Sequence, residues 1–440
     1  MYKLLFKFFP IVFAFLMIYG CSDDGGGKIV SSLEPLSLSF KAEGGSANVE
    51  LTTGAYWYVN ILEGSDWCQV TPSTGSGDAS VTVAVKKNVI PMPQTAKLAF
   101  MFDGQTIYMT ITQEALVAEG AYADGEVRIY EQNRQEKPVN LVFLGDGFTA
   151  ADYLDGGSFD AAVAEAAEAI FQVEPYKAYR EYFNIYKMAA FSEDRGVSQK
   201  DEGIIKKTAF NTAYLGGSSM ETDYNKIFKS VEQIPGINLK QTGIILIVNE
   251  DRYAGMTMMY SDGRSIAMCP MDRTPYLPGG FGHIVVHEAG GHGFGRLADE
   301  YTNGVETPPS QDELTGLKQW FAFGYYQNVD ITNDLSKVKW KDFVSLPGYV
   351  VNAYEGGYYH EVGIWRPESV SCMDDNRYYF NAPSRAAIVQ RILSIAGEPY
   401  TLEGFIAKDV VKVMPSELAT RTPLVLKLPR LAPPVMVDVR

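Results

Sequence analysis

The 440-residue sequence predicts an N-terminal antiparallel β-sandwich of the immunoglobulin-like kind, followed by a larger α/β domain. A chain of this length exceeds what one hydrophobic core usually supports, so two domains with tails are expected. Short alternating strands fill residues 33–116, whereas buried strands alternate with helical periodicity in residues 122–440. These two patterns set the predicted domain boundaries.

The first 20 residues are predicted to be a secretory signal. Lys3 and Lys7 supply a positive start, and the apolar stretch from Phe8 to Tyr19 is too short to span a bilayer as a mature helix. Cys21 ends a pattern that resembles a bacterial lipobox, which implies cleavage before Cys21 and lipidation of its thiol. An uncleaved membrane anchor is the alternative.

Residues 21–32 form a glycine-rich linker. Asp23 and Asp24 within it resemble the acidic signal of surface lipoproteins in Bacteroidetes. We therefore expect an outer-membrane lipoprotein, exposed at the cell surface and held to the membrane only through its N-terminal lipid anchor.

The N-terminal domain is predicted from strands that alternate apolar and polar residues, with glycine-containing turns between them. Trp57 and Trp67 could stack on sugars, but tryptophans in so small a sandwich more often fill the core, and we favour the core. The predicted strands cover residues 47–51, 57–61, 80–85 and 106–111.

The same segment resembles the BACON domain, an immunoglobulin-like module that is often suspected of binding carbohydrate or mucin. The resemblance implies a glycan-binding module or a simple spacer. It rests on Gly44-Gly45, Trp57, Trp67, Thr71-Pro72, Gly75, Gly77, Asn88 and Thr112-Gln113.

The second domain is predicted from two continuous apolar runs, residues 138–144 and 242–249, which are typical of buried strands. Between them, residues 159–183 carry apolar side chains at helical spacing. Asp146 follows the first strand in Gly145-Asp146-Gly147 and could bind an ion, but a role in the turn is favoured.

Charge and cysteine content exclude some classes of function. The net charge of −15 disfavours nucleic-acid binding, which depends on Lys and Arg neutralising phosphates. Beyond Cys21 the chain has Cys68, Cys269 and Cys372, so at least one thiol is unpaired. Pairing of Cys269 with Cys372 stays open, as does whether the proline-containing tail after Val410 packs on the domain.

The stretch from His287 to His292, with Glu288 after the first histidine, resembles a zinc peptidase helix with one residue too many. In the usual HExxH arrangement, histidines four apart are about 40° apart around the helix and share a zinc ion, whereas five apart are about 140° apart. A π-bulge absorbs one extra residue, and Gly290-Gly291, a poor α-helix interior, is where we expect it.

A competing register uses His283 and His287, which are four apart and need no bulge. Ile284 then occupies the place of the glutamate, so that register lacks a general base. We favour His287 and His292, and expect the third ligand in the acidic pair Asp299-Glu300 that follows.

Several motifs in order resemble the IgA peptidase family of bacterial zinc metallopeptidases, from about Val139 to Val410. The resemblance is carried by residues 141–150, the histidine helix with residues 297–301, Glu355-Gly356-Gly357, Arg366-Pro367-Glu368, Cys372-Met373 and residues 385–388.

This resemblance implies a metzincin-like enzyme with one catalytic zinc ion, held by His287, His292 and a loop residue above a methionine turn at Met373. Asp299 lies one position beyond the usual third ligand, so we predict Asp299, with Glu300 in reserve. Glu288 is the predicted general base.

Four residues are candidates for stabilising the oxyanion or binding substrate, namely Tyr301, Tyr358, Tyr378 and His360. The expected substrate is a host or dietary protein, such as an IgA-like or mucin-like glycoprotein. A surface adhesin that keeps the peptidase fold without catalysis is the alternative function.

Overall fold

The computed structural model describes residues 31–88, 92–115, 120–134, 136–274, 280–419 and 430–439. The predicted signal peptide and Cys21 lie outside these residues. The chain divides into two compact units, Met1–Leu116 and Val117–Arg440, which are described separately. Within the described ranges no helix combines the length and apolarity needed to cross a membrane.

The N-terminal unit contains two β-sheets, with strand orders β1-β3-β7-β5 and β2-β9-β8-β4-β6. Its strands alternate buried and exposed residues, and Val49, Val81 and Phe100 are fully buried between them. The strands are β1 Ser32–Glu34, β2 Ser37–Phe40, β3 Gly45–Thr52, β4 Tyr56–Glu63, β5 Cys68–Thr71, β6 Thr74–Ser76, β7 Ala79–Val85, β8 Gln94–Phe102 and β9 Gln105–Gln113.

Trp57 is in the core, as predicted, because its side chain is only 1% exposed. Its indole Nε1 donates a hydrogen bond to the Gly77 carbonyl at 3.0 Å, so burial leaves no unpaired donor. Trp67 is partly buried and packs against the same core.

The C-terminal unit is built on a seven-stranded sheet in the order β10-β12-β11-β16-β18-β17-β22 among the described residues. Strands β12, β11, β16 and β18 are parallel, and β17 is antiparallel to β18. The strands are β10 Val127–Gln132, β11 Val139–Asp146, β12 Phe183–Met188, β16 Gly243–Val248, β17 Met256–Tyr260, β18 Ser265–Pro270 and β22 Val435–Val437.

Two smaller sheets accompany it, β13-β14-β15 and β19-β21-β20. Their strands are β13 Ser198–Gln199, β14 Ala213–Gly216, β15 Ser219–Glu221, β19 Thr302–Val305, β20 Tyr354–Gly357 and β21 Tyr359–Arg366. The second of these sheets follows directly after the Asp299-Glu300 loop.

The helices of this unit are α1 Ser158–Phe171, α2 Tyr224–Val231, α3 Phe281–Val285, α4 Gln311–Ala322, α5 Cys372–Asp375, α6 Ala382–Ala396, α7 Leu402–Lys408 and α8 Ser416–Ala419. A π-helix, Val286–Phe294, continues α3. Single 3₁₀ turns lie at Ala150–Asp152, Arg180–Tyr182, Lys200–Glu202 and Lys341–Phe343.

The large sheet is buried on both faces, which explains the continuous apolar runs of its central strands. Leu141 and Phe143 of β11 pack in a core with α1, α3 and α6, whereas Val142 and Leu144 face a second core that includes α2. The predicted arrangement of a β-rich domain followed by a mixed α/β domain is confirmed.

The helical interpretation of residues 159–183 was too long. Helix α1 ends at Phe171, and the last residue of the predicted range is already the first of β12. Pro175 explains the early end, because the residue before a proline is disfavoured in the helical region.

Asp146 has a structural place at the end of β11. Its carboxylate accepts hydrogen bonds from the N–H groups of Gly147, Phe210 and Thr212 and from the hydroxyls of Ser192 and Thr208. These donors come from three loops, so Asp146 holds the loops together.

Candidate metal centre and active site

The histidine helix has the π geometry predicted from the spacing of its histidines, and the π region is longer than a single bulge. It extends over Val286–Phe294, and Gly295 donates to the Gly290 carbonyl five residues earlier at 2.9 Å. In a π-helix, residues five apart lie one above the other. The His287 and His292 ring centroids are consequently only 4.8 Å apart.

Gly291 of this helix is required by a close contact, whereas its neighbour Gly290 has more room. A Cβ atom on Gly291 would lie 2.2 Å from the sulfur of Met373, and a Cβ atom on Gly290 would lie 3.3 Å from the Tyr176 ring. The Gly290 carbonyl also accepts a hydrogen bond from the Tyr176 hydroxyl at 2.6 Å. Met373 therefore packs directly against the helix backbone.

Three side-chain atoms converge beside the π-helix. The Nε2 atoms of His287 and His292 are 3.1 Å apart, and they lie 3.1 and 3.3 Å from Oδ1 of Asp299. All three side chains are buried. Ligands of a tetrahedral zinc ion at about 2.0–2.1 Å would be separated by about 3.3–3.4 Å, which is close to these distances.

Hydrogen bonds on the far side of each ring define the chemistry of this group. Nδ1 of His287 lies 3.1 Å from the Cys372 carbonyl, and Nδ1 of His292 lies 2.8 Å from the Leu297 carbonyl. A carbonyl only accepts, so each Nδ1 carries the hydrogen and each Nε2 of a neutral ring presents a lone pair. Two lone pairs and a carboxylate oxygen facing one another fit a divalent cation.

Asp299 is held as an anion. Burial alone would raise the pKa of its carboxyl group, but His292 and His287, in their protonated form, lower that pKa well below its usual range. Its second oxygen, Oδ2, accepts a hydrogen bond from the Tyr359 hydroxyl at 2.6 Å. One oxygen therefore faces the histidines while the other is fixed by a tyrosine.

Glu300, the reserve ligand, is directed elsewhere. Its carboxylate accepts hydrogen bonds from Asn328, Asn381 and Ser371, each at 2.7 Å. Burial raises the pKa of Glu300 to about 7, although these three hydrogen bonds act to lower it. Its backbone N–H donates to the Met373 carbonyl at 2.8 Å, so Glu300 connects the Asp299 loop to Met373.

Glu288 lies next to the converging atoms and is fully buried. The Thr257 hydroxyl is 2.7 Å from Oε2, whereas Oε1 has no hydrogen-bond partner. A Cβ atom on Gly255 would lie 2.6 Å from that same Oε1, so the main chain just before β17 faces the carboxylate. Burial raises the pKa of Glu288 to about 8, although His287 and Thr257 act in the opposite direction.

The other predicted site residues are not gathered at one place. The Tyr301 hydroxyl donates a hydrogen bond to the Leu431 carbonyl at 3.0 Å, and burial, followed by the charge of Asp299, raises the pKa of Tyr301. Tyr358 contacts the site through its backbone N–H, which donates to the Asp299 carbonyl at 3.0 Å. The side chain of Tyr301 therefore interacts with Asp299 electrostatically.

Tyr378 and His360 lie outside the ligand group. Tyr378 stacks on His283 with ring centroids 3.9 Å apart, and Nδ1 of His283 is 2.6 Å from the Asn376 carbonyl. His360 lies on β21, with Nδ1 2.8 Å from the Thr307 carbonyl. His283 is thus engaged one helical turn before His287, which disfavours the competing register.

Tyr359 was not among the site residues predicted from the sequence, which included its neighbour Tyr358 instead. The backbone explains its position, because Gly356, Gly357, Tyr358 and Tyr359 all have positive φ. Consecutive side chains in this conformation are costly and concentrate at functional sites. The glycine pair before two tyrosines was the available signal.

Cys269 and Cys372, whose pairing was left open, are both free and buried. Burial raises the pKa of both thiols well above the usual range. They are thus inert side chains in the core around the site.

The IgA Peptidase M64 family model matches residues 127–350, just over half of the chain, and includes both histidines, Glu288 and Asp299. The chain belongs to the IgA Peptidase M64 family. It is therefore a metallopeptidase, a hydrolase of peptide bonds. The Viral BACON domain model matches residues 30–116, so both predicted family resemblances are confirmed.

No curated protein matches the chain. Among solved structures, a Bacteroides ovatus GH5 xyloglucanase in complex with a XXXG heptasaccharide is 16% identical, with a TM-score of 0.19, and the match covers 54% of this chain and 46% of the enzyme. A Bacteroides thetaiotaomicron protein solved by NMR is 16% identical over 22% of this chain and 98% of its own, with a TM-score of 0.17. WR4, a C. elegans MSP family member, is 12% identical over 19% of this chain and 96% of its own, with a TM-score of 0.16.

Proposed function

We propose that this metallopeptidase is a zinc-dependent endopeptidase of metzincin-like type, with His287, His292 and Asp299 as ligands and Glu288 as general base. The observation that carries the proposal is the convergence of two imidazole lone pairs and one carboxylate oxygen at 3.1–3.3 Å. Met373 packed against Gly291 supports the metzincin-like assignment, since it occupies the place expected of a methionine turn.

Zinc bound there would lower the pKa of a coordinated water toward about 7 and polarise the scissile carbonyl. Glu288 accepts the proton of the attacking water through Oε1, which has no hydrogen-bond partner in the structure. Thr257 holds the other carboxylate oxygen, so Oε1 keeps its direction while it passes the proton to the leaving amine. Because the ligands must be deprotonated to bind the metal, activity falls in mild acid.

The substrate we propose is a host or dietary protein, with IgA-like and mucin-like glycoproteins as the first to be tested. The family name supports an IgA-like substrate. Lipidation of Cys21, as proposed, would hold the enzyme at the cell surface, where secreted glycoproteins are present. Glycan binding by the N-terminal unit is a further part of this proposal. Since Trp57 is buried, it would rely on the exposed aromatic residues Tyr56, Tyr58 and Tyr108.

The test compares the wild-type chain with Glu288→Gln, and with Glu361→Gln as a matched control on β21. Metal analysis should find one zinc ion per chain in all three proteins. Cleavage-site profiling on a mixture of immunoglobulins, mucins and dietary proteins should show loss of about 10²–10⁴-fold in rate for Glu288→Gln alone. Absence of zinc, or equal cleavage by Glu288→Gln and wild type, would refute the proposal.

A further inference from the structure

The last described residues of the chain, 430–439, hereafter the C-terminal segment, line the edge of the large sheet. Strand β22 pairs in parallel with β17, and the Ser261 N–H donates to the Val437 carbonyl at 2.9 Å. Further on, Gln319 donates to the Asp438 carboxylate at 2.8 Å. The paired residues are Met258 with Val435, Met259 with Met436 and Tyr260 with Val437.

The first half of the segment crosses the candidate active site. The Leu431 carbonyl accepts the hydrogen bond from Tyr301, which follows the Asp299-Glu300 loop. The Ala432 N–H donates to the Gly255 carbonyl at 3.3 Å, and Gly255 is the residue that faces Glu288. Residues 431–432 therefore join the two sides of the site.

Side chains of the segment strengthen this cover. Leu431 is only 4% exposed. The Arg430 guanidinium lies 4.7 Å from the centre of the Tyr301 ring and donates to the Asp374 carbonyl at 2.5 Å. Each of the proposed ligands and Glu288 is at most 1% exposed.

A peptide substrate that binds beside Glu288 by adding a strand to the sheet would use the same edge. Extended peptides are commonly bound by adding a strand to an exposed sheet edge, where main-chain hydrogen bonds give affinity for any sequence. β17 is the strand next to Glu288, one of its edges is paired with β18, and β22 takes the other. A substrate bound in this way would compete with the C-terminal segment for one set of backbone groups.

We propose that the C-terminal segment is an intramolecular inhibitor that occupies the substrate-binding edge and must leave before a peptide can be cleaved. The inference rests on the proposed endopeptidase function of the same site. A segment that blocks its own enzyme has to be displaceable, and the pairing of β22 with β17 is weak enough to allow this.

Three features limit the strength of this pairing. Only three residue pairs form between β17 and β22, and parallel pairing is slightly weaker per residue than the antiparallel pairing open to a substrate. Pro433 and Pro434 lack the N–H groups that would continue the ladder beside the site. Val435 remains 40% exposed despite being paired.

The first test evicts the segment from the full chain. Leu431→Asp puts a charge at a buried position, and Val439→Asp adds the same charge at a position that is already 40% exposed. We expect Leu431→Asp to hydrolyse a fluorogenic casein at least about tenfold faster than wild type, given the burial energy of one leucine, and Val439→Asp to match wild type.

A readout independent of catalysis separates this proposal from the proposed function. A fluorescein-labelled peptide with the sequence of residues 430–439 should bind Leu431→Asp in an anisotropy assay at least about tenfold more tightly than wild type, whose edge is occupied. If no protein hydrolyses casein but the peptide still discriminates in this way, the segment occupies and can leave the β17 edge as proposed, and it is the peptidase proposal that fails. Equal hydrolysis together with equal peptide binding overturns the inhibitor assignment.

The second test remains informative if Leu431→Asp does not fold. Paired residues in a sheet have Cα atoms close enough for a disulfide, so Met258→Cys with Val435→Cys should lock the segment on oxidation. Hydrolysis and binding of the labelled peptide should both be lost on oxidation and return on reduction, with the Val435→Cys single variant insensitive to either. An oxidised, cross-linked protein that is as active and as open to the peptide as its reduced form contradicts the proposal.

Discussion

Substitution of Gly291 tests the contact between the π-helix and Met373. In Gly291→Ala the new Cβ would be 2.2 Å from the Met373 sulfur and 2.9 Å from its methyl group, against an ordinary contact of about 3.5–4.0 Å. Overpacking of this kind costs about 1–3 kcal/mol. Alanine recovers about 1 kcal/mol of helix propensity over glycine, so a net destabilisation of about 2 kcal/mol follows from an overlap this large.

Gly290→Ala is the matched control one residue earlier. Its Cβ would meet Tyr176 at 3.3 Å, a separation that a shift of a few tenths of an ångström relieves. The propensity gain then dominates, and the variant should be as stable as wild type or more stable by up to about 1 kcal/mol. The two alanine variants are thus expected to differ by about 2–3 kcal/mol.

The assay is urea denaturation of the metal-free protein, which keeps differences in zinc affinity out of the free energy of unfolding. Met373→Ala alone should cost about 2–5 kcal/mol through the cavity it leaves. Combined with Gly291→Ala, the new methyl group enters that cavity, so the double variant should be more stable than additivity predicts by about 1 kcal/mol or more. Equal stability of Gly291→Ala and Gly290→Ala, or strict additivity, would refute the contact.

Three further predictions concern the surroundings of the site. Tyr359→Phe should lower zinc affinity about 10–100-fold in chelator competition, because Asp299 loses its orienting donor; Tyr358→Phe, whose contact with Asp299 is through its backbone, should not. Glu300→Gln should retain zinc but lose about 1–3 kcal/mol of unfolding free energy, because the glutamine amide cannot accept hydrogen bonds from all three donors. Asp299→Asn should lose zinc. Loss of zinc in Glu300→Gln and its retention in Asp299→Asn would make Glu300 the ligand. Burial lowers the pKa of Lys339 from 10.5 to about 7. Between these two pH values the unfolded chain binds more protons than the folded chain, so the free energy of unfolding should rise with pH. Urea midpoints measured at pH 7 and pH 9 should show this rise for wild type but not for Lys339→Met.

Local sequence patterns were sufficient to predict the elements that depend on neighbouring residues alone, namely the alternating strands, a buried apolar strand and the π-helix. The alternating strands of residues 47–51 and 80–85 and the apolar run of residues 138–144 are where they were predicted. The π geometry followed from the five-residue spacing of His287 and His292 together with Gly290-Gly291.

What the sequence did not reveal depends on contacts between distant segments. Tyr359 reaches Asp299 across 60 positions, and no periodicity distinguishes it from Tyr358. Asp299 could be preferred to Glu300 as the candidate ligand only once Asn328, Asn381 and Ser371 were seen to surround Glu300. In the same way, the pairing of β22 with β17 joins residues about 180 positions apart, and a three-residue strand has no signal of its own.

The parallel pairing of β22 with β17 also affects how the protein behaves in solution. β17 has the sequence Met256-Thr257-Met258-Met259-Tyr260, an apolar run without charge or proline. An uncovered edge strand of this composition is a template for pairing with another molecule. A chain shortened before Arg430 would present that edge, and self-association through β17 is then the expected consequence, whatever the state of the catalytic site.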